Sequence, residues 1–294
     1  MKRFFSLFAG FCLCAWANQG LAAAPVKVGL SDVIATVEKS FKPVGNGAAP
    51  ISNFAANFFQ RTTLAKGQEM RAEGQMTVRL PDERSPLMYR FEYFRPAAQE
   101  IVSNGNILWI YHPENREVIL SDISFLNQRN NLGPNSDRSI NFLYGLSRIS
   151  KDFQIAFASG MYDSVGNYVL ELTPRRAMLS TRRMLIVVDR DSVLAYVSGK
   201  TPLNASNSAP SPRTQGPSPQ PRSPFGTQPT FGAVTLNSDP FPILSTTIYD
   251  QQGNSTTMEL TNIQVNSHMP DNTFNFIVPG GVQIIRPSEQ NLPH

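Results

Sequence analysis

Polar and apolar residues alternate with a period of two over much of this chain, most clearly between Met70 and Pro113. Met70, Ala72, Gly74, Met76, Val78 and Leu80 interleave with Arg71, Glu73, Gln75, Thr77 and Arg79. Leu87, Tyr89, Phe91 and Tyr93 then interleave with Met88, Arg90, Glu92 and Phe94, and a third run, Ile107 to Tyr111, carries Trp109. Such alternation places each set on one face of a sheet, so these strands have unusually aromatic inward faces. A face of large rings and flexible methionines fills a core or lines an apolar cavity, and the pattern alone leaves both open.

The rest of the chain continues the β pattern. Ile51 to Thr63 reads as extended, with Phe54, Ala56 and Phe58 on one face. Asn104-Gly105 and His112-Pro113-Glu114-Asn115 are turn signals, so neighbouring strands are expected to form antiparallel hairpins. Further strands are predicted at Phe153–Ala158, Tyr168–Thr173, Met184–Asp189, Val193–Ser198, Phe231–Leu236, Ile243–Tyr249 and Thr256–Ile263, with short pieces at Phe274–Phe276 and Val282–Ile284. Two helices are predicted: one capped by Ser31 and Asp32, with Ile34, Val37 and Phe41 apolar, and one over Arg138 to Leu146, with Ile140, Leu143 and Tyr144 on one face. About a dozen strands and two helices make a mainly β (α+β) chain, one large curved or nearly closed antiparallel sheet with helices on one side.

The ends and one interior stretch depart from this rhythm. Lys2 and Arg3 followed by the apolar run Phe4 to Ala17 and the small residues Gly20 and Ala22 read as a signal peptide, cleaved after Ala22. Pro202 to Thr230 holds eight prolines among Ser, Thr, Gln and Asn. It buries too little apolar surface to offset its ordering entropy, and reads as a disordered insertion within a single domain of residues 23–294.

Charge and composition narrow the function. The net charge of +4 falls by two when Lys2 and Arg3 leave, too mild to argue for nucleic acid. Both cysteines, Cys12 and Cys14, lie in the leader, preceded by Phe11 and Leu13 rather than by small residues. The mature chain is therefore expected to be exported, free of disulfides and without a lipid anchor. Its three histidines, His112, His268 and His294, have no metal-ligand spacing, and neither a nucleophile elbow nor a Gly-rich phosphate loop is present. Asp189 and Asp191 flank a turn, and Arg175-Arg176 with Arg182-Arg183 form a basic spot that reads as a solvated loop. Nothing supports enzyme activity, a metal or a cofactor.

Several pieces, in their order and spacing, resemble the LolA family of periplasmic outer-membrane lipoprotein carriers. They are Asn53-Phe54-x3-Phe58-x-Gln60, Glu73-Gly74-x-Met76, Tyr89-x-Phe91-x-Tyr93-x2-Pro96, Ile101 to Gly105, Trp109-x-Tyr111-x-Pro113, Asp250-x2-Gly253-Asn254 and Phe274-x-Phe276-x-Val278-Pro279-x-Gly281-Val282. The resemblance implies an incomplete antiparallel β-barrel with short helices forming a lid over a hydrophobic cavity. It implies a periplasmic monomer that takes acylated lipoproteins from an inner-membrane lipoprotein-releasing ABC transporter and passes them to a LolB-type outer-membrane receptor. It places Phe54, Phe58, Met76, Val78, Tyr89, Phe91 and Tyr93 on the cavity wall and Ile140, Leu143 and Leu146 on the lid. In family carriers an Arg before a Pro latches the lid. Counting back from Pro96 puts Ser85 at that position, which leaves Arg84 as the latch candidate and Arg79 as a second. The same fold serves RseB-like lipoprotein-sensing regulators and could carry other lipids. Those regulators have an additional C-terminal domain, whereas only nine residues follow Ile285 here.

Overall fold

The structure is a computed structural model and describes residues 27–44, 49–82, 85–124, 142–178, 180–199, 241–270 and 272–287. The predicted leader, the insertion over 202–230, the strand at Phe231–Leu236, and Arg84 and Ile140 lie outside them.

Extended segments rich in β-branched and aromatic residues form twelve strands. They are β1 (Asn53–Thr63), β2 (Glu69–Arg79), β3 (Met88–Arg95), β4 (Gln99–Ser103), β5 (Ile107–His112) and β6 (Glu117–Asp122), followed by β7 (Phe153–Tyr162), β8 (Tyr168–Pro174), β9 (Arg183–Val188), β10 (Ile243–Tyr249), β11 (Ser255–Val265) and β12 (Gln283–Ile285). They form one twelve-stranded sheet in the order β12-β6-β5-β4-β3-β2-β1-β11-β10-β9-β8-β7. The sheet does not close: β7 and β12 are its two edges, and only the β12–β6 pair is parallel. This is an incomplete barrel, as the sequence predicts. Tight turns set the hairpin registers. At Asn104-Gly105 the Asn104 Oδ1 accepts from the backbone of Asn106 and Ile107, and Gly105 has φ +89°, a conformation that glycine adopts without strain.

Helices gather on the concave side. The first, α1 (Leu30–Phe41), buries Val33, Val37 and Phe41 at four-residue intervals. It begins earlier than the sequence suggests, because the Asp32 carboxylate accepts from the backbone N–H of Gly29 at 2.8 Å and Gly29 is the N-cap. The second predicted helix is, in its described part, a 3-10 helix (Phe142–Arg148) running into the short α2 (Ile149–Asp152). The predicted strand Val193–Ser198 is wrong: it belongs to α3 (Arg190–Val197). The Asp189 carboxylate caps that helix, accepting from the Ser192 N–H and Oγ at 2.7 and 2.6 Å. A short apolar run does not distinguish strand from helix, and here the cap and the burial of Val193 favour the helix.

The convex side carries a second, smaller core. Val102, Trp109 and Val118 pack there with Phe276, Val278 and Val282 from the segment between β11 and β12. Trp109 therefore lies on the outer face, a placement that the uniformly apolar run Ile107 to Tyr111 leaves open. Phe274–Phe276, predicted as a strand, leaves a turn at Phe274 without forming a strand, and its Phe276 ring lies 5.5 Å from that of Tyr111. Arg79 stacks over Phe274 at 5.3 Å, and Arg90 donates to the Thr273 carbonyl at 3.3 Å while pairing with Glu100.

Burial raises the Glu100 carboxyl above its ordinary 4.5, against the lowering pull of Arg90 and with Glu92 acting in the same direction as burial. The folded protein thus holds this proton more tightly than the unfolded chain. Glu100 is neutral to stability below the unfolded value and costs stability as pH rises from 4.5 through the folded value. Glu100→Gln is expected to flatten this fall in melting temperature across the weakly acid range. An unchanged pH profile in the variant would show that Glu100 ionises equally freely in both states.

Candidate functional site

Register carries the inward side chains of β1 into a continuous concave face. Phe54 pairs across to Val78, which pairs to Tyr89 and then Ser103. One row further along, Ala56 leads to Met76, Phe91, Ile101 and Ile110. Phe58 lies opposite Gly74 and Gly74 opposite Tyr93. All seven predicted wall residues therefore share one face. Six of them are buried in one apolar cluster, with Tyr93 half-buried against it.

The rings interlock. Phe58 meets Phe91 and Tyr93 edge to face at centroid distances of 5.7 and 5.0 Å, and Tyr89 meets Phe91 at 5.9 Å. This stack exists because residue 74 is glycine. A Cβ there would stand 2.9 Å from the Phe58 ring and 2.0 Å from the Glu92 carbonyl oxygen, where the β2–β3 register slips at a bulge. The Tyr93 hydroxyl meets Gln60 Oε1 at 3.1 Å, which gives that polar tip of the stack a partner.

The face continues where sequence reading named no site residues. On the other side of β1, Met258 faces Gln60, and Thr246, Ile186, Leu170 and Phe157 extend that row to the edge strand. Ile248, Met184, Leu172 and Ile155 make the parallel row. Each alternation was legible by itself. Their union into one surface was not, because it depends on which distant strands become neighbours, as β1 does with β11.

The helices cover this surface. Val33, Val37 and Phe41 of α1, with Leu143, Leu146 and Ile149, join the same buried cluster as the sheet residues. Polar contacts bind the helices to one another: Glu38 Oε1 accepts from the Ser150 N–H and Oγ at 2.8 and 2.7 Å, and Lys39 donates to the Tyr196 hydroxyl at 2.6 Å. Leu143 and Leu146 thus lie in the cluster that the concave face shares with the helices. Ser85 donates its N–H to Asp82 Oδ1, and Arg79, the second latch candidate, is on the convex face over Phe274 and far from this role.

The arrangement offers little for bond chemistry. Asp189 is a helix cap. Within the basic spot, Arg183 pairs with Glu171 at 2.8 Å and stacks on Tyr249 at 4.1 Å. No group of three His, Cys, Asp or Glu side chains suited to a metal occurs among the described residues, and no described helix is long and apolar enough to cross a membrane. What the face can do is exchange one apolar contact for another.

The fold is thus an open barrel whose concave, aromatic face is covered by short helices. Residues 49–198, about half of the sequence, match the family of the outer membrane lipoprotein carrier protein LolA, and the chain belongs to that family. The matched stretch runs from β1 through α3 and stops where the Pro-rich segment starts. No curated protein sequence matches the chain. Among solved structures, a LolA superfamily protein from Nitrosomonas europaea is 13% identical, with 85% of this chain and 99% of that chain covered and a TM-score of 0.35. A putative outer membrane lipoprotein-sorting protein domain from Vibrio parahaemolyticus is 11% identical, with 76% and 89% covered and a TM-score of 0.35. The Pseudomonas aeruginosa MucA/MucB complex contains a chain 10% identical, of which 59% is covered, with 84% of this chain covered and a TM-score of 0.35.

Proposed function

We infer that the protein is a periplasmic carrier whose concave face takes up the acyl chains of lipoproteins. It would accept them from an inner-membrane releasing transporter and deliver them to a LolB-type receptor at the outer membrane. The observation that carries this reading is the continuity of the apolar face from β3 through β1 to β7 beneath a cover of short helices. The family match supplies the class of cargo.

Magnitudes explain why such a face needs a lid. Each methylene removed from water is worth about 0.8 kcal/mol, so a chain of about sixteen carbons favours an apolar groove over water by roughly 10 kcal/mol. A bilayer offers almost the same gain. Loading must therefore be driven, and unloading requires a receptor with a slightly better face. A lid that already fills the groove subtracts its own displacement from the cargo's binding energy, which brings the two close enough for hand-over.

An alkyl-chain photoprobe is expected to label peptides of β1, β2 and β3 around Phe54, Phe58, Met76, Val78, Tyr89, Phe91 and Tyr93. Labelling confined to the convex face would sink the assignment. Material co-purified from the periplasm separates the neighbouring readings: triacylated lipoprotein supports the carrier, free lipid a carrier of other lipids, and an empty protein held by a membrane regulator an RseB-like sensor.

A further inference from the structure

We propose that Phe241 is the closure of the lid, the side chain that ties the helices to the sheet and that cargo must displace. This deepens the carrier reading and rests on it for the identity of the cargo. Phe241 is only 6% exposed. Its ring lies 4.6 Å from that of Phe54 on β1 and 5.5 Å from that of Phe41, the last residue of α1. It thus stands between a lid helix and the concave face, touching both. Backbone bonds hold the helix ends near the strands, from the Ile51 N–H to the Ser40 carbonyl and from the Arg175 N–H to the Asp152 carbonyl, while Glu38 to Ser150 and Lys39 to Tyr196 join helix to helix and survive a movement of the helices as one body. The Phe41–Phe241–Phe54 stack does not survive it.

By chain continuity Phe241 belongs to the sheet. It precedes β10, and the next residue is pinned to the end of β9 by a 2.9 Å bond from the Asp189 N–H to the Pro242 carbonyl. Its backbone is therefore held by the sheet while its ring contacts α1, the geometry of a catch. A fraction of the protein must break this contact before an acyl chain can lie along Phe54. The apparent affinity for cargo is reduced by the rarity of that open state.

The test uses the full chain with Phe241→Ala and Phe241→Leu, a fluorescent sixteen-carbon fatty-acid analogue as probe (about the length of a lipoprotein acyl chain), and amide hydrogen exchange. Phe241→Ala is expected to bind the probe about tenfold tighter than wild type, and α1 amides to exchange faster while those of β1 and β2 keep their protection. Phe241→Leu should shift both readouts in the same direction by less. If both variants match wild type in probe affinity and in α1 exchange, Phe241 is not the closure. Should Phe241→Ala fail to fold, the leucine variant alone decides, and no shift in it overturns the proposal. Faster α1 exchange with no probe bound by any form would uphold the closure and remove the acyl-carrier reading instead.

Discussion

Gly74→Ala is expected to destabilise the protein by about 3 kcal/mol or more, the top of the range for overpacking a core. The added methyl would lie 2.0 Å from the Glu92 carbonyl oxygen and 2.9 Å from both the Glu92 carbonyl carbon and the tip of Phe58. Phe58 could rotate aside, but a main-chain carbonyl in a paired strand cannot retreat alone. Strand β3 would have to move off β2 at the bulge between Glu73 and Gly74. That shift carries Tyr93 away from Phe58 and from Gln60, so the aromatic stack is lost together with the strand pairing. Denaturant unfolding checks it. A loss below about 1 kcal/mol would mean that the bulge adjusts freely and that the stack does not depend on this glycine.

Phe91→Glu is expected to abolish uptake of an acyl probe and to release the helices while the sheet stays folded. Phe91 is 2% exposed, faces Met76 and Ile101 across the strands, and packs on Phe58 and Tyr89. A carboxylate there has no cation beside it in the cluster, and burying it unpaired costs several kcal/mol. The cheapest relief is for the lid to lift and admit water, since that sacrifices fewer contacts than unfolding twelve paired strands. Hydrogen exchange should show α1 losing protection with β1, β2 and β3 retaining it, and acid should restore the lid by protonating the introduced group. Cooperative loss of all protection would make the concave face an obligatory core, and the carrier reading would lose its chief support.

Local chemistry was readable without the structure wherever one face of a strand met water. Strands β1 to β3 and the Asn104-Gly105 turn follow from alternation and turn residues, and α1 follows from the spacing of its apolar residues. Reading failed where both faces are covered. In β5 the run Ile107-Leu108-Trp109-Ile110-Tyr111 is apolar throughout, because the segment carrying Phe276 and Val278 packs over its outer face. The pattern therefore could not place Trp109. Val193–Ser198 failed for another reason: six residues are too few to reveal a period, and Asp189 as a cap settles the matter only once β9 has ended at Val188.

By itself, then, the sequence determined the positions and inward sets of β1 to β3, the Asn104-Gly105 turn and the apolar spacing of α1, because these depend on residues within a few positions of one another. Tertiary structure alone decided that the inward sets of β1 to β4 and of β7 to β11 form one surface, that the helices close on it, and that Phe241 stands between Phe41 and Phe54. Those outcomes turn on pairing between segments up to about two hundred residues apart, as in Phe54 with Val265. No local pattern encodes that choice, because any strand with an apolar face can satisfy its hydrogen bonds against several partners.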